Sequence, residues 1–242
     1  MNNTEKNFRI SEQLEDANKS NWVDSSCPSW SKPFLKLSRL DRPVGAWLLL
    51  IPCFWGLGLA LVSKPESITL SDLWIVIGCI MGSILMRGAG CTWNDINDKN
   101  IDAHVKRTRN RPIPSGQISI KQATIWMLIQ MAFAFLILLT FNKFAIVLGI
   151  SSLIPVMFYP FAKRLTWWPQ LFLGIAFNWG ILLAYVANSQ ELKLSAISLY
   201  ISGIFWTLFY DTIYAHQDTE DDLLVGVKST ALLFGKNTKT WL

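Results

Sequence analysis

The sequence predicts an all-α polytopic membrane protein, a bundle of transmembrane helices, on three observations. Apolar residues make up 51% of the 242 residues, and the mean hydropathy is +0.31. Charged residues supply only 16%, against roughly 25% in soluble domains. The apolar residues fall in long runs rather than at amphipathic spacing, and six of these runs approach the ~20 residues that cross a bilayer. A soluble helical protein of this composition would have too few polar residues to coat its surface.

Residues 1–40 read as a polar tail leading into an interfacial segment. No apolar stretch follows Met1, as a signal peptide requires, and a transit peptide is poor in acids. Here Glu5, Glu12, Glu15, Asp16 and Asp24 outnumber Lys6, Arg9 and Lys19 within the first thirty residues. Trp30, Phe34, Leu35 and Leu37 sit among basic residues, a composition suited to a headgroup layer. From residue 41 to 242 the chain reads as one transmembrane domain. Its spans are 44–62, 73–93, 123–141, 145–161, 171–187 and 196–213. Each must be helical, because backbone groups in lipid have to pair within their own segment.

Loop charge orients these spans. Seven Lys/Arg precede the first span, six lie in the loop around 94–121, two are Lys163 and Arg164, and three follow Tyr214. The opposite side holds Lys64, Lys143 and Lys193. The first side is therefore the cytoplasmic or matrix face. Without a transit sequence, the expected location is a bacterial inner membrane rather than a mitochondrial one.

Two acidic clusters fall on that face, both at ends of apolar spans. The first holds Asn94, Asp95, Asp98 and Asp102, with carboxylates spaced i, i+3, i+7 along one helical face. The second holds Asp211, Tyr214, Asp218, Glu220, Asp221 and Asp222. Treated as one helix, it puts Asp211, Asp218 and Asp222 on a common side, with Tyr214 beside them and Glu220 elsewhere. Carboxylates crowded near a bilayer need a positive partner. A hard divalent cation such as Mg²⁺ supplies one, and it readily shares its coordination with phosphate.

Cations suited to phosphate lie between the two clusters. Lys106, Arg107, Arg109 and Arg111 lead into a loop formed by Pro112-Ile-Pro-Ser-Gly116. An arginine fork matches phosphate oxygens pairwise, although anchoring of the membrane face explains part of the run. Lys163 follows Tyr159-Pro-Phe-Ala at a span end, where it either reaches a diphosphate or snorkels. Arg42 precedes the first span and Arg87 lies inside the second, where a charge is a functional candidate. Cys27, Cys53, Cys79 and Cys91 and the two histidines have no metal-ligand spacing; the cysteines read as packing residues.

These residues resemble the UbiA superfamily of intramembrane prenyltransferases. The resemblance is carried by Arg39-Leu-Asp-Arg-Pro-Val-Gly45, Arg87-Gly-Ala-Gly-Cys-Thr-Trp-Asn-Asp95 with Asp98 and Asp102, and Arg107-Thr-Arg-Asn-Arg-Pro112. It continues through Tyr159-Pro-Phe-Ala-Lys163-Arg164, Trp168-Pro-Gln170, Phe177-Asn-Trp-Gly180, Tyr210-Asp-Thr-Ile-Tyr-Ala-His-Gln-Asp218 and Lys228-Ser-Thr-Ala-Leu-Leu-Phe-Gly235. It covers residues 30–242. The Tyr210–Asp218 string is similar to the branch that prenylates 4-hydroxybenzoate in ubiquinone synthesis.

The resemblance implies a bundle of about nine helices. It also implies Mg²⁺ held on a polyprenyl diphosphate by Asn94, Asp95, Asp98 and Asp102 and by Asp218 and Asp222. Asp98, Asp102, Asp218, Asp222 and Lys163 are then the expected catalytic residues. Arg42, Arg87, Arg107, Arg109, Arg111 and Tyr214 are the expected contacts to substrate. The implied reaction moves the prenyl group to the ring carbon ortho to the hydroxyl of 4-hydroxybenzoate, and its partners are those two substrates and the lipid bilayer. The chain ends at Leu242, soon after the second acidic motif, so the expectation is a bundle about three spans short at its C-terminal end. The competing readings are a related enzyme with a haem, naphthoate or glyceryl phosphate acceptor, a transporter of a divalent cation or phosphorylated solute, and an inactive shortened relative.

Overall fold

In the computed structural model the described residues are 21–63, 68–105 and 108–242, the side chain of Asp221 excepted. The tail residues 1–20, Lys64, Lys106 and Arg107 therefore lie outside the described residues. Every regular element among the described residues is helical. Six stretches are long and apolar enough to cross a membrane: Val44–Ser63, Leu70–Asp102, Ile120–Leu138, Lys143–Leu165, Pro169–Ser189 and Leu194–Asp218. They overlie the six expected runs, and the chain is an integral membrane protein of the all-α class.

Two of these stretches depart from simple spans. Leu70–Asp102 is one helix of 33 residues, about 50 Å long at ~1.5 Å per residue. The hydrocarbon core is only about 30 Å thick. The helix runs on past the expected end at Trp93 because polarity does not stop a helix. Nothing between Cys91 and Asp102 is Gly or Pro, and side chains bond back onto the turns, Thr92 Oγ1 to the Gly88 carbonyl at 2.8 Å and Asn97 Nδ2 to the Trp93 carbonyl at 2.7 Å. The fourth stretch is instead two helices, Lys143–Ser151 and Leu153–Leu165. Pro155 has no N–H to give the Ser151 carbonyl, which accounts for the break.

The backbone forms two compact units. The first comprises Met1–Gly45 and Leu85–Ala132. Its core is Leu37, Ile113, Ile118 and Ala123, with Phe34, Ile96 and Trp126 packed on it. Of the expected interfacial segment, Leu37 is fully buried here while Trp30 is exposed. Two short helices, Trp22–Ser26 and Lys32–Leu37, are tied by a Lys36–Asp24 ion pair at 2.7 Å and by Lys32 Nζ on the Asp24 carbonyl at 2.8 Å. Burial works to raise the Asp24 pKa, but the Lys36 and Asn21 hydrogen bonds and the lysine charges prevail and hold it below the usual value.

The second unit comprises Ala46–Ile84 and Phe133–Leu242. The helix Pro169–Ser189 is its centre: 56% of that span is buried, against a third or less for the others. Leu50, Cys53 and Leu57 pack with Ile75, Cys79 and Ala184. Cys53 and Cys79 are buried free thiols that serve here as small apolar packers. Asn178 donates from Nδ2 to Thr207 Oγ1 at 2.8 Å, a buried polar pin between two spans. At the far end of this unit, Asp72 Oδ2 accepts from the Thr69 backbone N–H and hydroxyl, capping the long helix.

Candidate active site

The first acidic cluster occupies the last three turns of Leu70–Asp102, so Asn94, Asp98 and Asp102 follow one another at i, i+4, i+8 on one face. Asp95, Asp98 and Asp102 are all buried, at 0%, 1% and 6% exposure. Asn94 is half-buried. Such burial of carboxylates demands compensation, and for Asp95 and Asp102 two arginines provide it. Arg39 Nη2 donates to both Asp95 oxygens, at 2.7 and 2.9 Å. Arg111 Nη1 lies 3.0 Å from Asp102 Oδ2 and 3.4 Å from Asp95 Oδ1, joining two of the acids through one guanidinium.

Arg39 was not among the residues singled out as functional by charge and spacing. It stands just past the helix Lys32–Leu37, whose end is closed by the Leu40 N–H on the Leu35 carbonyl at 3.1 Å and the Arg39 N–H on the Lys36 carbonyl at 3.0 Å. This is a Schellman closure, and its left-handed position is usually glycine. Arg39 holds it at φ 58°, which for a side-chain-bearing residue costs on the order of 1 kcal/mol. The available signal was a long cationic residue one place beyond a helix end, within Arg39-Leu-Asp-Arg-Pro.

The remaining basic candidates divide. Arg109 is exposed, and Arg107 lies outside the described residues. Arg42 is half-buried and meets its neighbour Asp41 at 3.4 Å. Arg87 is half-buried, with its guanidinium against the backbone of Gly45. The structure thus gathers Asp95, Asp102 and Arg111, and leaves Arg109 apart from that group.

The second cluster is built differently from the single helix expected. The span ends its α-helix at Ala215, tightens into a 3-10 turn over His216–Asp218, and restarts as Thr219–Val225. The tighter turn shifts the angular phase by about 60°, so the i, i+7, i+11 spacing of one continuous helix is altered for Asp211, Asp218 and Asp222. Asp218 and Asp222 are half-buried, and Tyr214 is 54% exposed. Gly226, at φ 70°, ends the short helix.

The segment just beyond Gly226 secures Lys163. The Lys228 N–H donates to the Lys163 carbonyl at 2.8 Å, while Lys228 Nζ reaches the Leu165 carbonyl at 3.4 Å and lies 5.7 Å from the Trp167 ring centroid. A cation at a helix C-terminus opposes the partial negative charge of the last carbonyls. Two residues further on, the Thr230 N–H donates to Gln170 Oε1 at 3.0 Å, and the Thr230 and Thr212 hydroxyls share a hydrogen bond of 2.7 Å. All three of these side chains are buried. The Lys228 string, read from sequence only as part of a resemblance, thus fastens the chain beyond Asp222 to the helices that carry Lys163 and Asp211.

Among the described residues, no three His, Cys, Asp or Glu side chains converge on a point that would hold a metal ion. Mg²⁺ typically takes one or two carboxylates, keeps waters, and completes its shell with substrate phosphate. Asp98 and Asp102, with Asn94, are hard-oxygen donors of that kind. Asp95 is the poorer candidate, since both its oxygens are engaged by Arg39.

The sequence profile of the UbiA prenyltransferase family matches residues 49–242. A relative from Drosophila pseudoobscura, named 4-hydroxybenzoate polyprenyltransferase, mitochondrial, is 47% identical over 239 residues, 98% of this chain and 59% of its own length. The chain thus spans little more than half the length of that relative. Among solved structures, the apo structure of a UbiA homolog from Aeropyrum pernix superposes with a TM-score of 0.66 at 28% identity, over 79% of this chain and 70% of that one. A UbiA homolog from Archaeoglobus fulgidus, bound to GPP and Mg²⁺, superposes with a TM-score of 0.67 at 20% identity, over 84% of this chain and 69% of that one.

Proposed function

The chain belongs to the UbiA prenyltransferase family, and on that premise we propose that it acts as a 4-hydroxybenzoate polyprenyltransferase of ubiquinone synthesis. The reaction is transfer of a polyprenyl group from its diphosphate to the ring carbon ortho to the hydroxyl. The observation that carries this reading is the buried carboxylate and arginine group at the end of Leu70–Asp102. It offers hard-oxygen donors and fixed guanidinium charge where an apolar helix leaves the membrane core. The acceptor is the one in the name of the Drosophila relative.

Asn94, Asp98 and Asp102, and Asp218 and Asp222 from the second motif, would hold Mg²⁺. When bound, the metal neutralises negative charge on the diphosphate. Arg111, Arg109, Arg107 and Lys163 add positive charge to the departing diphosphate, and their value is greatest where water is excluded. As the allylic C–O bond breaks, its electron pair leaves with the diphosphate and positive charge develops on the prenyl carbon. The ring carbon of 4-hydroxybenzoate attacks that carbon, and the ring proton is lost to restore aromaticity. Apolar span residues keep out water, which would otherwise divert the prenyl chain to an alcohol. Arg42 or Arg87 pairs with the aromatic carboxylate, and Tyr214 lies along the substrate path.

The same reading extends to domain and compartment. Residues 41–242 carry the transferase, with 1–40 a polar and interfacial lead. The relatives named mitochondrial weigh against the expected bacterial inner membrane and favour an inner membrane with the acidic motifs on the matrix or cytoplasmic side. Fractionation of the native organism decides the compartment.

The test uses membranes containing the chain, a labelled polyprenyl diphosphate and a panel of acceptors. Transfer to 4-hydroxybenzoate should depend on Mg²⁺ and fall by at least about a hundredfold, roughly 3 kcal/mol, in Asp98→Ala and Asp218→Ala. Retained activity in either variant removes that residue from the metal set. Preference for another acceptor redirects the reading to a related enzyme.

A further inference from the structure

We propose that Arg39 and Asp95 form a buried latch that positions Arg111, and that Asp95 serves the reaction through this latch rather than as a metal ligand. The proposal rests on the diphosphate-transfer reading above and sharpens it. It reassigns one acid of the first motif and gives a role to an arginine outside the acidic and basic runs.

Three independent features meet at Arg39. Its backbone holds the left-handed position that glycine normally takes in this helix closure. A side chain there persists only where its surroundings outweigh the strain. Its side chain, 9% exposed, spends Nη2 on both Asp95 oxygens and Nη1 on the Lys36 carbonyl at 3.1 Å. Its neighbour Ser38 is fixed as well, accepting from Trp126 Nε1 at 2.8 Å and donating to Gln130 Oε1 at 3.1 Å. Gln130 in turn fills the space over Gly88, where a Cβ would overlap Oε1. The segment before the first span is thereby locked to two helices, and the lock ends in one carboxylate.

Charge then decides what Asp95 does. Arg39 pairs with Asp95, and Arg111 with both Asp95 and Asp102. A metal drawing on Asp95 would compete with Arg39 Nη2 for both of its oxygens, and weakening a buried ion pair is costly. Held instead by Arg39, Asp95 offers Oδ1 to Arg111 and pins the Pro112–Gly116 loop to the helix end. Arg111 then meets the diphosphate with its orientation already set. Asp95 and Arg39 are positioning residues in this scheme.

The experiment compares Asp95→Asn, Arg39→Gly, Arg39→Lys, the double Arg39→Gly/Asp95→Asn and Asp98→Asn in purified full chain. Two readouts are taken without turnover: Mn²⁺ binding by electron paramagnetic resonance, and affinity for geranyl thiolodiphosphate, an unreactive prenyl diphosphate analogue. Asp98→Asn should weaken Mn²⁺ binding tenfold or more, and Asp95→Asn less than threefold. Asp95→Asn and Arg39→Gly should each weaken the analogue about tenfold, the double variant no further, and Arg39→Lys by an intermediate amount. A Mn²⁺ loss in Asp95→Asn equal to that in Asp98→Asn overturns the proposal, as does wild-type analogue affinity in Arg39→Gly. If Asp98→Asn leaves Mn²⁺ unaffected, the metal assignment fails separately and the latch is judged on the analogue alone. Should Arg39→Gly fail to accumulate, Arg39→Lys and Asp95→Asn decide.

Discussion

The guanidinium of Arg87 lies directly against the α-carbon of Gly45, so that a Cβ at position 45 would overlap Nε and Cζ. Glycine at 45 is thus space for a cation, which ties the Arg39–Gly45 motif to the intramembrane arginine. The obstructing atoms are the far end of a flexible side chain. Gly45→Ala should therefore leave folding nearly intact and swing the guanidinium aside. If Arg87 pairs with the carboxylate of 4-hydroxybenzoate, the KM for that substrate should rise about tenfold, ~1.4 kcal/mol, with the KM for polyprenyl diphosphate unchanged. Steady-state kinetics with each substrate varied in turn checks this, and an unchanged acceptor KM removes Arg87 from the role.

Gly56 presents the opposite case. A Cβ there would overlap the backbone carbonyl of Ile181, which cannot step aside, whereas nothing lies within 4 Å of one at Gly58. Gly56→Ala should force the first and fifth spans apart at a cost of about 1–3 kcal/mol. Gly58→Ala should be neutral or stabilising by up to ~1 kcal/mol, the difference in helix propensity. Thermal unfolding in detergent, followed by tryptophan fluorescence, separates the pair; equal melting temperatures would contradict the close helix contact.

The Asn178–Thr207 pin is measurable by a double-mutant cycle. Thr207→Val keeps the side-chain shape and removes the hydroxyl that accepts from Asn178. The loss expected for such a bond inside a membrane is about 0.6–2 kcal/mol. Asn178→Ala should cost more, because it also empties the volume beside Gly203. The double variant should fall short of the sum of the singles, and full additivity would mean the two side chains do not interact.

Asp24 supplies a pH test remote from the site. Its folded pKa lies below the ordinary value because Lys36 and Asn21 stabilise the carboxylate. The contribution is thus present above the unfolded pKa of about 4 and disappears as pH falls through the folded one. Wild type should melt higher than Asp24→Asn at pH 7, and the gap should close as pH is lowered below the ordinary carboxylate range. A gap that persists in acid would assign the effect to packing instead of charge.

The spans were legible because a bilayer demands long apolar runs, and no tertiary contact can substitute for them. What the one-dimensional pattern concealed lies where polar residues decide geometry. The helical spacing of the acids in 94–102 was legible, and the helix does continue there, but the pattern could not say which of those acids pairs with a cation. The 3-10 turn at His216–Asp218 gives no sign in the sequence, so the assumption of one continuous helix under Asp211, Asp218 and Asp222 did not hold. Carboxylates at i, i+3, i+7 suit a metal or an ion pair equally, and only the approach of Arg39, 56 residues earlier in the chain, separates Asp95 from the rest. Arg39 itself was visible as one basic residue among several before the first span and as the start of the Arg39–Gly45 motif, with no role attached to it.

Arg39 carries a lesson for anyone seeking a sturdier variant of this protein. Ranked by backbone comfort alone, glycine wins at position 39, and a stabilising redesign would select it early. Such a variant would trade a relaxed helix end for loss of the two-oxygen pairing of Arg39 with Asp95, which keeps the longer 3.4 Å contact to Arg111. The ~1 kcal/mol of backbone strain relieved is smaller than the roughly 3–5 kcal/mol lost when one partner of a buried ion pair is removed, so position 39 should be held constant in any library built for thermostability.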